Sequence, residues 1–319
     1  MKRESIRNLA CATSCVLALG APTWAGVVAS DDASQAAYSD GWQTGDNGGT
    51  GFTNGWFLAT SNFAGHFTAN SANNGDGDGN SDGDIGDPAW GMFAGNNSGS
   101  SGLSEAYRLF PKDLQPGDTF QILMDNGFVD GAVGFGIQNA DGENLAEVRF
   151  LGGASNYSVD YSGGPSDLPT SGYTDGGTTV TITVNSGNTI DVELERFEGG
   201  GGSLTNLALF NPTNGQAIRQ VRLYDFQTVA SSGARDLFFN NMTIEDTTAP
   251  TVVSIDREDA NPTGANSVDF LVTFDDAMDS LAASNFTAST TGTFTGGPVV
   301  GTPTQVDDYT WRVNVSYST

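Results

Sequence analysis

The sequence is poor in cysteine, histidine and lysine, and it has no long apolar segment. Its 319 residues include two cysteines and one histidine. Both cysteines, Cys11 and Cys15, lie within the first 25 residues. Disulfide bridges, cysteine-based metal sites and thiol nucleophiles are therefore excluded from the rest of the chain. No later stretch reaches the ~18 apolar residues of a membrane span, so we predict no membrane insertion.

The N-terminus has the composition of a secretory signal peptide. Three basic residues fall within the first seven positions, residues 9–20 are mostly apolar, and residues 23–25 form a cleavage site that ends in Ala25. This order of basic, apolar and small-residue regions is typical of export signals. We therefore predict that residues 1–25 are a signal peptide and that the protein is secreted or displayed on the cell surface.

The charge balance is strongly acidic. The chain has 12 Lys+Arg against 38 Asp+Glu, and removal of the signal changes the net charge from −26 to about −28. Binding to nucleic acid requires a basic surface to neutralise phosphates, so the composition excludes that partner. A net charge of this sign favours solubility and the binding of divalent cations.

Short runs of alternating or β-branched residues recur along the chain, each bounded by Gly, Asn, Asp or Ser. Their ranges are 118–124, 132–138, 145–151, 156–161, 178–184, 189–196, 218–226 and 236–244. No window longer than about ten residues has the 3.6-residue period of an amphipathic helix. Eight or more such runs predict an all-β fold, a jelly-roll β-sandwich.

A polar run that ends at Pro250 indicates a domain boundary. We predict a jelly-roll domain over residues 26–246 and a second β domain over residues 247–319. The second segment has about 73 residues, whereas an immunoglobulin-like sandwich needs roughly 100. We therefore expect a truncated domain, with further domains of a longer chain missing at the C-terminus.

The second segment resembles the bacterial immunoglobulin-like repeats of large surface adhesins. The residues that carry this resemblance are 249–255, 261–263, 268–274 and 284–286. In those adhesins the pattern begins each tandem module. The resemblance implies an immunoglobulin-like sandwich that acts as a spacer.

The first domain resembles the lectin-like or laminin-G-like jelly-roll domains found at the N-terminus of secreted proteins of environmental bacteria. The matching stretches are 41–52, 89–93 and 236–241. The resemblance implies a fold and an extracellular location, because this architecture supports many unrelated activities.

A Gly/Asp-rich segment at residues 74–87 is the clearest candidate for a metal site. Calcium binds six to eight hard oxygens, which a loop with acids at alternate positions can provide. The pattern is not an EF-hand, because Ala89 stands where the bidentate glutamate should be. A solvated loop without a ligand is the alternative. The predicted calcium ligands are Asp76, Asp78, Asn80, Asp82, Asp84 and Asp87.

The acids Asp191, Glu193 and Glu195 alternate within one predicted strand and so share a face. They are faintly similar to the catalytic strand of retaining glycoside hydrolases of lectin-like fold. Those enzymes need carboxyl groups about 5–5.5 Å apart, whereas residues i and i+2 of a strand are roughly 6.5–7 Å apart. We therefore favour a polar outer face of a sheet and predict no catalytic residues. His66 is the only imidazole of the chain, and we read it as a loop or core residue.

Several aromatic side chains could stack on sugar rings, although most aromatics of a sandwich belong to its core. The candidates are Trp42, Trp56, Trp90, Tyr107, Tyr157, Tyr161 and Tyr173. Trp90 and Tyr173 adjoin Gly/Asp-rich loops, so we predict that these two contact a ligand.

Together these features predict an exported, non-enzymatic adhesive or cell-surface protein. Its jelly roll would bind a glycan or a matrix component with calcium, and its second domain would act as a spacer. Two alternatives remain open, an extracellular glycoside hydrolase of lectin-like fold and a purely structural module of a surface layer or matrix.

Overall fold

A computed structural model shows two compact units. One comprises Ala25–Thr248, called here the sandwich unit, and the other comprises Met1–Trp24 with Ala249–Thr319. The structure describes residues 18–19, 26–73, 85–97, 99–247, 250–259, 266–275, 281–288, 297–307 and 309–316.

The described residues are almost entirely strands and loops, which confirms the predicted all-β class. The strands of the sandwich unit are β2 (Gly26–Asp31), β3 (Phe57–Ser61), β4 (Phe63–Ala69), β5 (Ala89–Gly95), β6 (Gly102–Leu114), β7 (Thr119–Asn126), β8 (Ala132–Gln138), β9 (Asn144–Leu151), β10 (Ser158–Asp160), β11 (Ser166–Asp167), β12 (Thr178–Asn185), β13 (Thr189–Arg196), β14 (Gly201–Ala208), β15 (Ile218–Gln227) and β16 (Leu237–Asp246). Short 3-10 helices occur at Ala36–Tyr38, Ser71–Asn73 and Gly233–Arg235. Among the helices of the described residues, none has the length and apolar character needed to cross a membrane.

The sandwich unit is built from two antiparallel sheets. The seven-stranded sheet has the order β11-β10-β9-β8-β15-β6-β3, and the eight-stranded sheet has the order β14-β13-β12-β7-β16-β5-β4, with β2 also paired to β16. All eight runs predicted from the sequence contain strands.

One hydrophobic core lies between the two sheets. Phe120 of the eight-stranded sheet packs against Phe110 at 5.2 Å and against Phe135 at 5.8 Å, both from the seven-stranded sheet. In β12 alternate residues are buried, as the two-residue period of a strand requires when one face meets a core. Burial of this apolar surface is the main stabilising contribution to the unit.

The second unit contains an antiparallel sheet of five strands. They are β17 (Val252–Arg257), β18 (Ser267–Phe274), β20 (Val299–Val300), β21 (Thr304–Gln305) and β22 (Thr310–Ser316). Separately, β1 (Ala18–Leu19) pairs with β19 (Phe286–Thr287), which follows a 3-10 helix at Ala283–Asn285. The immunoglobulin-like identity of this unit stays a prediction.

Two acidic side chains of the sandwich unit, Asp225 and Asp236, have a pKa that desolvation raises. Asp225 is fully buried, and desolvation together with the charge of Asp236 raises the pKa of Asp225 well above its usual value. Burial also raises the pKa of Asp236, to about 7. In both cases the folded state favours the protonated carboxyl group, because an isolated charge is costly to desolvate.

We therefore expect the unit to become more stable as the pH falls from 8 to 6. The folded-state pKa of Asp236 exceeds the unfolded one, so its contribution to stability is complete only below the unfolded pKa of 3.8 and is lost as the pH rises through the folded pKa of about 7. The expected gain from this residue is about 1.4 kcal/mol. Urea unfolding of the wild type and of Asp236→Asn at both pH values measures it. Equal pH dependence in the two proteins would contradict the assignment.

Candidate functional site

The outward face of the seven-stranded sheet carries an unusual density of polar and aromatic side chains. In β6 the residues that point inward are buried, while Glu105 and Tyr107 between them are partly exposed. In β15 the same alternation places Gln220, Arg222 and Tyr224 on that outward face. Because β15 is hydrogen-bonded to β6 on one side and β8 on the other, these residues form the middle of one surface.

The register of the strands aligns these residues in rows that run across the sheet. One row is Phe57, Tyr107, Arg222, Gly136, Glu147 and Asp160. The neighbouring row is Ala59, Glu105, Tyr224, Gly134, Arg149 and Ser158. Directly opposite residues of an antiparallel pair are near enough for their side chains to interact.

Five charged side chains of these rows alternate in sign, and we call them the charge ladder: Asp160, Arg149, Glu147, Arg222 and Glu105. Arg149 lies 3.2 Å from Asp160 Oδ2 and donates to Glu147 Oε1 at 3.1 Å. Arg222 donates to Glu105 Oε1 at 2.7 Å and lies 3.7 Å from Glu147 Oε2. The charge ladder therefore runs without interruption from β10 to β6, with its members on four of these strands.

A glycine makes the central step of the ladder possible. Gly136 lies between Arg222 and Glu147 in the row, so their strands are not adjacent. Because glycine has no side chain, Arg222 and Glu147 reach each other across β8 without an obstruction. A Cβ atom at Gly136 would lie 3.3 Å from Asn144 Oδ1, a tight contact on the same surface.

Two tyrosine hydroxyl groups donate to the carboxylates of the ladder. Tyr107 donates to Glu105 Oε1 at 2.8 Å, and Tyr224 donates to Glu147 Oε1 at 2.9 Å. Burial and the adjacent carboxylate raise the pKa of each tyrosine, so both phenols stay protonated at neutral pH. Burial lowers the pKa of Arg222, but the hydrogen bond and charge of Glu105 outweigh that effect and raise it.

An aromatic patch lies at the β3 end of the same rows. Phe57 is 58% exposed, and its ring lies 5.9 Å from that of Tyr107. The two rings line a depression of about 320 Å³ together with Gly55, Ala59, Leu109 and Gln220. An exposed phenylalanine beside a chain of hydrogen-bonding groups is a surface that favours a ligand with both apolar and polar faces.

A buried ion pair holds the segment that leads into β3. Arg108 and Asp31 are 3.0 Å apart, and both side chains are fully buried. Arg108 also donates to the backbone carbonyl of Asp46 at 3.0 Å and to Asn47 Oδ1 at 2.6 Å. Glu105 and Tyr107 on the outward face and the inward Arg108 belong to one strand, which connects the surface to the core.

The two predicted ligand-contacting aromatics lie away from this surface. Trp90 is 0% exposed and packs between the sheets against Trp42, Trp56 and Tyr38. A sugar cannot reach a ring at that position, so the burial argues against the predicted ligand contact. Tyr173 packs against Phe150 at 5.3 Å and lines a separate cavity of about 400 Å³.

The predicted calcium ligands fall almost wholly outside the described residues. Asp76, Asp78, Asn80, Asp82 and Asp84 are among the residues that the structure leaves undescribed, whereas Asp87 is described and exposed. Within the described ranges there is no cluster of three or more His, Cys, Asp or Glu side chains that could hold a metal ion. The calcium site stays a prediction.

The carboxylate strand and the histidine occupy ordinary positions. Asp191, Glu193 and Glu195 lie on the outer face of β13, where the neighbouring strands present Thr, Ser and Gly opposite them. His66 lies in β4, where its Nε2 atom is 2.9 Å from the backbone oxygen of Glu105 and its ring contacts Trp42. Burial lowers the pKa of His66.

The sequence analysis did not identify the charge ladder. Tyr107 was among the seven aromatic candidates, but Glu105, Glu147, Arg149 and Arg222 were not considered as a group. The available signal was the two-residue alternation of polar residues in three separate stretches. It does not reveal which strands are neighbours.

The sequence matches no protein-family model, and no curated protein is similar to it. Solved structures of low sequence identity are similar to the sandwich. An endo-β-1,4-glucuronan lyase from the fungus Trichoderma reesei is 11% identical, with a TM-score of 0.41 over 61% of this chain and 93% of that one. A carbohydrate esterase of the Shiga toxin-encoding bacteriophage phi24B is 13% identical, with a TM-score of 0.42 over 70% and 100%. The alginate lyase Aly36B is 14% identical, with a TM-score of 0.33 over 58% and 98%.

These similar structures correct one prediction. The sequence led us to predict a non-enzymatic protein, but carbohydrate-active enzymes, including two lyases, are among the structures of similar architecture. The exclusion of enzymes was wrong, since it rested on the lack of a recognisable catalytic pattern within single strands. The similar structures are all-β, jelly-roll-like proteins that are related to carbohydrates.

Proposed function

We propose that the protein acts on carbohydrate and that the outward face of the seven-stranded sheet is where it binds a glycan chain. The observation that carries this proposal is the row that joins the exposed Phe57–Tyr107 patch to the charge ladder. Binding is the step that carbohydrate-binding and carbohydrate-cleaving proteins share.

The chemistry of a sugar matches both parts of this surface. A pyranose ring has an apolar face of C–H groups, which packs on an aromatic plane, and an edge of hydroxyl groups. Hydroxyl groups both donate and accept hydrogen bonds, so they can pair with the carboxylates and guanidinium groups of the ladder. The rows span several strands, and strands lie about 4.8 Å apart, so a chain of several sugar units fits across them.

Export and calcium complete this proposal. The signal-like residues 1–25 support a secreted or surface location, and the acidic residues 76–87 support a bound calcium ion. Polysaccharides outside the cell are the ligands that a secreted protein meets. The second unit would serve as a spacer.

The proposal predicts that aromatic truncation weakens glycan binding. A glycan array with the full chain identifies a ligand, and calorimetry then measures its affinity. We expect Phe57→Ala and Tyr107→Ala each to weaken binding about tenfold, because each removes an apolar surface that the sugar would cover. Tyr107→Phe keeps the ring and should retain most of the affinity.

Phe63→Ala provides a matched control. Phe63 is also an exposed phenylalanine, 42% accessible, but it belongs to β4 of the eight-stranded sheet. Its replacement should leave affinity unchanged. If no glycan binds, or if Phe63→Ala weakens binding as much as Phe57→Ala, the outward face of the seven-stranded sheet is not the site.

A further inference from the structure

We infer that the glycan held at the charge ladder is uncharged, and that Glu147 is the residue that excludes uronate-bearing chains. The inference rests on the proposed function and adds the chemical class of the ligand. It follows from how the two arginines of the ladder are paired.

Each arginine of the ladder is already paired with two carboxylates of the protein. Arg149 lies between Glu147 at 3.1 Å and Asp160 at 3.2 Å. Arg222 lies between Glu105 at 2.7 Å and Glu147 at 3.7 Å. A guanidinium group recognises a carboxylate through paired N–H groups. Arg149 directs Nη1 and Nη2 to Glu147 and Asp160, and Arg222 directs Nε to Glu105, so a ligand carboxylate would compete with carboxylates of the protein for both arginines.

The charge of the ladder also opposes an anion. Three carboxylates face two guanidinium groups, which gives the charge ladder a formal charge of −1, and the whole chain has a net charge of −26. A uronate would have to displace one of the internal carboxylates and leave it unpaired at a half-buried position, where the loss of a partner is costly. A neutral sugar can bind without displacing any member, because its hydroxyl groups donate to the carboxylates.

Glu147 is the member that connects both arginines. It contacts Arg149 and Arg222, and it also accepts the hydroxyl hydrogen of Tyr224 at 2.9 Å. Glu147 is the middle member of the charge ladder. Its side chain is 14% exposed, so a ligand can still reach it. Removing the charge of Glu147 changes the formal charge of the charge ladder from −1 to zero and leaves each arginine with one carboxylate instead of two.

Matched oligosaccharides test the ligand class. Cellohexaose and hexaglucuronate share a β-1,4 backbone and differ in whether carbon 6 is a hydroxymethyl or a carboxylate group. Mannohexaose and hexamannuronate form a second such pair. With excess chelator present, so that calcium cannot bridge two anions, we expect the wild type to bind the neutral member of a pair at least tenfold more tightly. Tighter binding of the acidic member would overturn the inference.

The variant Glu147→Gln tests the residue. It keeps the shape of the side chain and an acceptor for Tyr224 while removing the charge. We expect the ratio of neutral to acidic affinity to fall at least tenfold, and the acidic affinity to decrease with added salt. Glu193→Gln is the matched control, because Glu193 is exposed on the other sheet, and it should leave the ratio unchanged.

The two failures can be distinguished. If the glycan array and both pairs show no binding at all, the proposed function fails, and this inference fails with it. If glycans bind at the predicted face but acidic ones are preferred, or if Glu147→Gln leaves the ratio as it was, only the inference is overturned.

Discussion

Replacing Arg108 by methionine should lower the free energy of unfolding of the sandwich unit by about 3–5 kcal/mol. Arg108 and Asp31 are both fully buried and 3.0 Å apart, so the replacement leaves an unpaired carboxylate in the core. Tyr38 donates to Asp31 Oδ2 at 2.5 Å, but this hydrogen bond satisfies only part of the hydrogen-bonding capacity of the Asp31 carboxylate. Urea unfolding of the full chain, followed by tryptophan fluorescence, measures the loss.

The loss should depend on pH. Burial already raises the pKa of Asp31, and the hydrogen bond from Tyr38 and the charge of Arg108 lower it in part. Without Arg108 the folded-state pKa rises further above the unfolded value, so the variant loses stability as the pH rises and recovers it when Asp31 is protonated. The double variant Arg108→Met with Asp31→Asn should be more stable at neutral pH than Arg108→Met alone.

An exposed ion pair gives the comparison. Arg312 is 45% exposed and pairs with Glu258 in the second unit, so Arg312→Met should cost much less stability than Arg108→Met, because solvent screens an exposed pair. If Arg108→Met loses as little stability as Arg312→Met, or if its loss does not change with pH, the buried pair is not what stabilises the segment before β3.

Replacing Trp90 by alanine should also lower the free energy of unfolding by about 3–5 kcal/mol, because it leaves a cavity inside an aromatic cluster. Trp90 is fully buried, and its ring centre lies 5.1 Å from that of Trp56 and 5.5 Å from that of Tyr38. In contrast to Phe57→Ala, this variant should bind glycan with unchanged affinity under conditions where it is folded. Unfolding curves and calorimetry on the same samples separate the two effects.

The outcome decides between two roles for Trp90. A large loss of stability with intact affinity places it in the core alone. If affinity falls tenfold while the unfolding midpoint stays near that of the wild type, Trp90 contacts the ligand and the outward face is not the whole site. Trp90→Phe, which refills part of the space, should restore part of the stability.

Periodicity predicted most of the strands but missed the one that matters most for the site. The eight predicted runs are rich in β-branched residues between turn residues, and such local signals do not depend on the rest of the fold. Strand β6, Gly102–Leu114, contains Glu, Ala, Lys and Asp, which are depleted in strands, and Pro111 lies within it. Its alternating burial comes from its place between β3 and β15, which tertiary structure provides.

The prediction for the aromatic residues was limited in a similar way. The sequence shows that Trp90 and Tyr107 are both aromatic, but it does not show which face of a strand meets the core. In the structure Trp90 points between the sheets, whereas Tyr107 points outward beside Phe57. A shift of one residue in register reverses the two faces, so single-residue exposure is among the last properties that a sequence specifies.

The sequence by itself determined the all-β class, the acidic surface and the strands with strong local propensity, because composition and two-residue periodicity are properties of short segments. Tertiary structure alone decided the charge ladder. Glu105, Glu147 and Arg222 are separated by 42 to 117 residues along the chain, and they meet because β15 inserts between β6 and β8. Such pairing depends on how distant strands are ordered in a sheet, which no local pattern encodes.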